Sequence, residues 1–200
     1  MVALICDIFL KIKPFAMKKG IFLAMCLFTC FVFSCKNDDD SDLTPIEQLP
    51  AKTTVGANTA GCLVNGEVLI PKGNANESTL RCQYAKRGDE YTFILFINEN
   101  SNPSKSVRIL YSQKNKPLVV NEIIPLTIPN VKQSSWGDFF IAAGLIDTFS
   151  TNEEYKGQLL ILALDETRRI ISGTFSFTAV NDQGETVEVT DGRFDMRYIP

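Results

Sequence analysis

Histidine is missing from this chain of 200 residues. That removes the commonest general base, the commonest zinc ligand and every triad built on imidazole. There is also no phosphate-cradling glycine loop and no cysteine pair at zinc-finger spacing. No apolar run reaches the roughly 20 residues that a spanning helix needs. Tryptophan occurs once, as Trp136. The chemistry left open is a pair of carboxylates, as in glycoside hydrolysis, or a serine or lysine nucleophile. Acidic residues are plentiful, but no spacing marks two of them as partners. Neither a cofactor nor a metal is expected.

What is present is concentrated first at the amino terminus. Residues 17–35 read MKKGIFLAMCLFTCFVFSC. Lys18 and Lys19 form a positive start, Ile21 to Phe33 an apolar core of 13 residues, and Val32-Phe33-Ser34-Cys35 a small-residue cleavage box ending in cysteine. This is the pattern of a bacterial lipoprotein signal, with Cys35 as the residue that receives the lipid. Each buried methylene contributes about 0.8 kcal/mol, and stable anchoring takes at least two acyl chains. The alternative is an ordinary secretory signal. Residues 1–16 precede the charged start and are read as an upstream extension, with translation beginning at Met17. Residues 35–55 are expected to be a lipidated, flexible tether, with two prolines and four aspartates. The aspartates do not form a calcium loop: counting from Asp38, the sixth position is Leu43 and the twelfth Leu49.

Cleavage before Cys35 leaves 166 residues, enough for one domain over 56–200. The whole chain has 20 basic and 23 acidic residues; losing Lys11, Lys13, Lys18, Lys19 and Asp7 leaves 16 and 22, a net charge of −6. Such a domain repels nucleic acid. It is also large enough to fold without a metal or a disulfide framework. Cys62 and Cys82 are a possible disulfide, contributing about 3 kcal/mol if closed, or else two buried thiols. Leu80, Cys82 and Tyr84 alternate with polar residues, so Cys82 faces the core. Cys62 shares a face with Val64, Val68 and Ile70 in one continuous strand. If Asn65-Gly66 is a tight hairpin, Cys62 lies opposite Leu63, Val68 and Ile70.

From Gly56 onward the apolar period is mostly two, with turn residues every eight to twelve positions. The pattern predicts strands near 60–70, 78–86, 90–98, 105–112, 117–127, 139–149, 156–165, 169–180, 185–190 and 193–199. Gly173, Phe175, Phe177 and Ala179 share one face of a C-terminal hairpin that turns at 181–184. Asp191-Gly192 reads as a second turn. Segments 91–97 and 159–164 are almost continuously apolar and are expected to be central strands buried on both faces. Trp136, Phe139, Phe140 and Ala143 fit either a strand or a short helix. The fold class is therefore all-β, an antiparallel β-sandwich or barrel-like domain.

Residues 56–73 (GANTAGCLVNGEVLIPKG) and 171–198 (ISGTFSFTAVNDQGETVEVTDGRFDMRY) carry a resemblance. With Tyr155-Lys156-Gly157, they resemble a family of uncharacterised lipoproteins from Bacteroidota, across the whole mature domain. The CKNDDDSD opening is similar to the acidic signal that sends such lipoproteins to the outer surface. The resemblance implies an outer-membrane, lipid-anchored protein at the cell surface, with the periplasmic face as the alternative. It carries over no catalytic residue.

One pair stands out as a ligand contact. An exposed Trp136 could stack on a sugar face while Asp138 takes its hydroxyls; the competing reading is a core or sheet-edge tryptophan. The expectation is a non-catalytic β domain that binds a ligand, glycan or protein partner at the envelope. The alternatives are an assembly subunit of an envelope complex and a two-carboxylate hydrolase.

Overall fold

Alternating apolar residues bounded by Asn, Gly and Pro turns produce strands almost throughout. The computed structural model describes residues 43–73, 78–128 and 134–200; the segment read as a signal, residues 17–34, and the expected lipid site Cys35 lie outside the described residues. Eleven strands follow one another: β1 (Thr59–Val64), β2 (Glu67–Leu69), β3 (Leu80–Arg87), β4 (Glu90–Glu99), β5 (Ser104–Lys114), β6 (Ile123–Leu126), β7 (Ser134–Ala143), β8 (Leu145–Ser150), β9 (Gly157–Asp165), β10 (Ile170–Val180) and β11 (Thr186–Arg197). Among the described residues there is no helix. The all-β antiparallel reading is correct.

The strands form one sheet in the order β2-β1-β11-β10-β8-β7-β5-β4-β3, with β9 on β10 and β6 on β9. The second edge of β10 is shared. Its residues 170–177 pair with β9, whereas Val180 alone pairs with Ser150 of β8. The sheet forks there into two wings, β6-β9-β10-β11-β1-β2 and β8-β7-β5-β4-β3. They face each other: Phe93 of β4 lies 5.6 Å from Phe194 of β11, and Tyr84 of β3 meets Tyr198 edge-on at 5.6 Å. Beyond β11 the tail returns to the free edge of β3, where Ile199 N donates to Cys82 O and Tyr84 N donates to Ile199 O, both at 3.0 Å. The wings are joined by isolated residue pairs, Val180 with Ser150 on one side and Lys72 with Glu99 and Gln83 with Ile199 on the other, and the ladder does not close into a barrel.

The core is a continuous cluster that takes side chains from both wings, with Phe93, Leu95, Ile97, Val107, Ile109, Leu159, Ile161 and Val189 fully enclosed. Each contributes about 1.5–3 kcal/mol through removal from water. Close approach of the strands depends on glycine, between the wings at Gly137 and within one wing at Gly192. A Cβ at Gly137 would stand 2.7 Å from the Phe177 ring, and one at Gly192 2.5 Å from the Phe175 ring.

Several local expectations are revised. Segment 60–70 is a hairpin, because Asn65 and Gly66 both take positive φ (49° and 83°) and turn the chain. Cys62 pairs with Leu69 and both point into the core. Segment 117–127 is extended as a strand only in β6. Segment 139–149 breaks at Gly144 (φ 97°) into β7 and β8. Trp136, Phe139, Phe140 and Ala143 lie in strand β7, not a helix. Asp191-Gly192 is no turn: β11 is continuous, with a bulge opposite Ser176 where Asp191 takes φ 51°.

Two revisions matter for function. Strands β4 and β9 are central in pairing, but each buries one face only; Ile94 and Phe96 of β4, and Leu160 and Leu162 of β9, are half-buried. And the C-terminal part of the expected tether is docked on the domain, with Leu49 buried and residues 53–57 clasped by Asp195.

Candidate functional site

Alternation puts Phe93, Leu95 and Ile97 of β4 inward, so Ile94 and Phe96 must face outward. The same parity turns Arg81 and Gln83 of β3, Arg108 and Leu110 of β5, and Trp136, Asp138 and Phe140 of β7 to the outer face of the wing. Register aligns them in two rows. One runs Arg81, Phe96, Arg108, Asp138, Ser150, and the other Gln83, Ile94, Leu110, Trp136. Directly opposite side chains on antiparallel strands lie in contact range. Phe96, Ile94, Leu110, Trp136 and Phe140 are all half-buried, forming an apolar and aromatic platform across three strands, β4, β5 and β7. The hydrogen bonds and ring contacts of these outward side chains stay within their own wing.

Asp138 holds this platform rigid. It is 1% exposed despite its outward direction, because Trp136, Arg108 and Phe140 surround it. Arg108 donates Nε at 2.8 Å and Nη2 at 2.5 Å to Oδ2; Trp136 Nε1 donates to Oδ2 at 2.9 Å, and Ser150 Oγ donates to Oδ1 at 2.7 Å. The Arg108 guanidinium also lies 5.0 Å from the centre of the Phe140 ring, within cation–π range. The expected pair of Trp136 and Asp138 is thus brought together, but its roles change. Asp138 is enclosed and saturated, so it cannot take sugar hydroxyls; it orients the indole and the guanidinium. Arg81, Phe96 and Arg108 were missed by the sequence reading. Their only signal was Phe96, an apolar residue at an outward position that breaks simple inside–outside alternation.

A second buried carboxylate, Asp195 (1% exposed), sits on β11. It accepts from Thr53 Oγ1 at 2.6 Å and from the amides of Gly56 at 2.7 Å, Val55 at 2.9 Å and Ala57 at 3.2 Å. Burial alone would raise its pKa. The Thr53 hydroxyl and the three amides outweigh burial and leave the carboxyl below its ordinary value. Among the described residues both buried aspartates are therefore consumed by internal bonds, and neither is a free carboxyl in an apolar setting.

Cys62 and Cys82 are not bridged: both are free and buried in the core. Burial pushes each thiol up to about 12, so neither is a thiolate near neutrality. Among the described residues no three metal-ligating side chains converge. A groove of about 550 Å³ runs between the start of β3 and the end of β11, with Arg81, Cys82, Met196 and Ile199 on its walls. The β7–β8 hairpin ends in a bare apolar tip, with Leu145 87% and Ile146 72% exposed.

Compared with protein-family models, curated proteins and solved structures, the chain matches none.

Proposed function

We propose that this chain is a non-catalytic binding domain of the cell envelope, held to the outer membrane by lipid on Cys35, and a member of the Bacteroidota lipoprotein family that its motifs resemble. The observation that carries the binding role is the platform of Ile94, Phe96, Leu110, Trp136 and Phe140. An apolar outer face fixed by a buried, fully bonded Asp138 offers a preformed surface for a glycan or protein partner. Its orientation is toward the cell surface, supported by the acidic residues after Cys35, with the periplasmic face as the alternative.

The test of binding compares the full chain with Trp136→Ala and Ile94→Lys in a glycan screen and in capture of envelope proteins. A ligand lost by both variants while their melting temperatures hold supports the platform; a ligand held equally by all three proteins removes it. The anchor has its own test, since Cys35→Ser is expected to leave the membrane fraction. Unchanged retention of that variant contradicts lipidation.

A second reading, an assembly subunit of an envelope complex, is favoured by the exposed Leu145–Ile146 tip. It predicts that Leu145→Ser with Ile146→Ser abolishes a stable protein complex and leaves glycan binding intact.

A further inference from the structure

The platform is not electrically neutral. Counting outward positions of β3, β4, β5 and β7, the basic residues are Arg81, Arg87, Arg108 and Lys114, and the acidic ones are Glu90 and Asp138. Glu90 accepts from Ser112, and Asp138 is closed inside the face. With Lys114 4.0 Å from Asp89 and Arg108 paired to Asp138, Arg81 and Arg87 are the cations of this face left without a carboxylate partner among the described residues, on a chain whose mature part carries a net charge of −6. In the central row Phe96 is the direct partner of both Arg81 and Arg108. Adjacent strands lie about 4.8 Å apart, so the two arginine backbones stand about 10 Å apart across the ring. That span is comparable to a disaccharide unit.

We propose that this face binds a carboxylate-bearing polysaccharide, with Arg81 and Arg108 taking acidic groups on either side of Phe96 and with Trp136 flanking the chain. This rests on the platform reading and names its ligand class. Guanidinium groups recognise carboxylates through paired hydrogen bonds. Arg81 is exposed and donates to Gln83, and among the described residues it has no carboxylate partner. Arg108 uses Nε and Nη2 on Asp138, which leaves Nη1 for a ligand. The aromatic faces suit the C–H surface of sugar rings, and Gln83 and Thr148 offer amide and hydroxyl groups. Strands β4, β5 and β7 are each paired on both edges, so a peptide cannot join here by adding a strand. A ligand must lie across the side chains.

The test titrates the full chain, purified in detergent, with polygalacturonate, dextran and polyglutamate. Polygalacturonate is expected to bind most tightly, to weaken with added salt, and to lose about tenfold in affinity, or about 1.4 kcal/mol, in Arg81→Glu. Arg81 is exposed, so an unchanged melting temperature checks that the variant is folded; Phe96→Ser is the second variant. Failure of polygalacturonate to bind overturns the proposal, as does binding indifferent to both substitutions or polyglutamate binding as tightly. Dextran binding that is lost in Trp136→Ala would overturn the acidic ligand while keeping the platform. If no substitution on the face alters any binding, the platform falls as well.

Discussion

Asp138 and Asp195 are enclosed to the same degree, each 1% exposed, yet their bonds run to different kinds of group. Asp138 is held by side chains of its own wing: Arg108, Trp136 and Ser150. Asp195 is held mostly by backbone, through the amides of Val55, Gly56 and Ala57, with Thr53 completing the set. The first carboxylate therefore fixes the shape of a surface, and the second fixes the path of a chain. One arrangement prepares an exposed aromatic and cationic face. The other holds residues 53–57 against the domain.

The contrast is broken most severely at Asp195. Replacing it by alanine strands four donors at once, and a cost of about 3–5 kcal/mol is expected. Denaturant titration should show that loss, and limited proteolysis should cut within residues 49–57 of the variant only. An intact strap in Asp195→Ala would mean that packing of Leu49 suffices without the carboxylate.

Arg108→Met should cost about 3 kcal/mol, because it leaves Asp138 buried without its cation. Adding Asp138→Leu should restore most of the stability, since the pair would then be replaced by apolar groups. Stability of the double variant should recover while ligand binding does not, because it lacks both the Arg108 cation that takes the ligand and the carboxylate that orients Trp136.

Acid provides a smaller perturbation. The Asp195 carboxyl is lowered in the folded protein, so its contribution is complete above the unfolded value of about 3.9 and disappears as pH falls through the folded value. Amide exchange of residues 55–57 should therefore accelerate below about pH 4 before the core amides of β4 and β5 respond. A strap that loosens only together with the core would contradict the assignment. The smallest effect is expected at Ser172, the direct neighbour of Asp195 in register, whose buried Oγ has no partner among the described residues. Ser172→Ala should leave stability unchanged or raise it by up to about 1 kcal/mol.

Much of the strand content was legible because a period of two needs only local information. The shared face of Gly173, Phe175, Phe177 and Ala179 followed from it, as did the hairpin at 181–184. The neighbours of a strand are another matter, since register is a property of pairs. Nothing local places Arg108 between Phe96 and Asp138, so the platform was read only as Trp136 with Asp138, and the carboxylate was assigned to a ligand that it cannot reach. The docked strap was illegible for the same reason. Residues 43–55 have the composition of a linker, and what captures part of them is an aspartate about 140 residues away. The continuous apolar run in β4 suggested two covered faces; instead one face meets the core and the other is the platform. The bulge at Asp191-Gly192 looked like a turn because glycine serves both purposes. Here the absent Cβ makes room for Phe175.

The measurement closest to the central claim is a heteronuclear NMR titration of the full chain in detergent with polygalacturonate. The account predicts that the Trp136 indole N–H and the Arg81 and Arg108 side-chain signals shift on addition, together with the backbone of β4 and β5. The amides of residues 55–57 on Asp195 should stay in place. Shifts confined to those strap amides, with Trp136 unmoved, would contradict it.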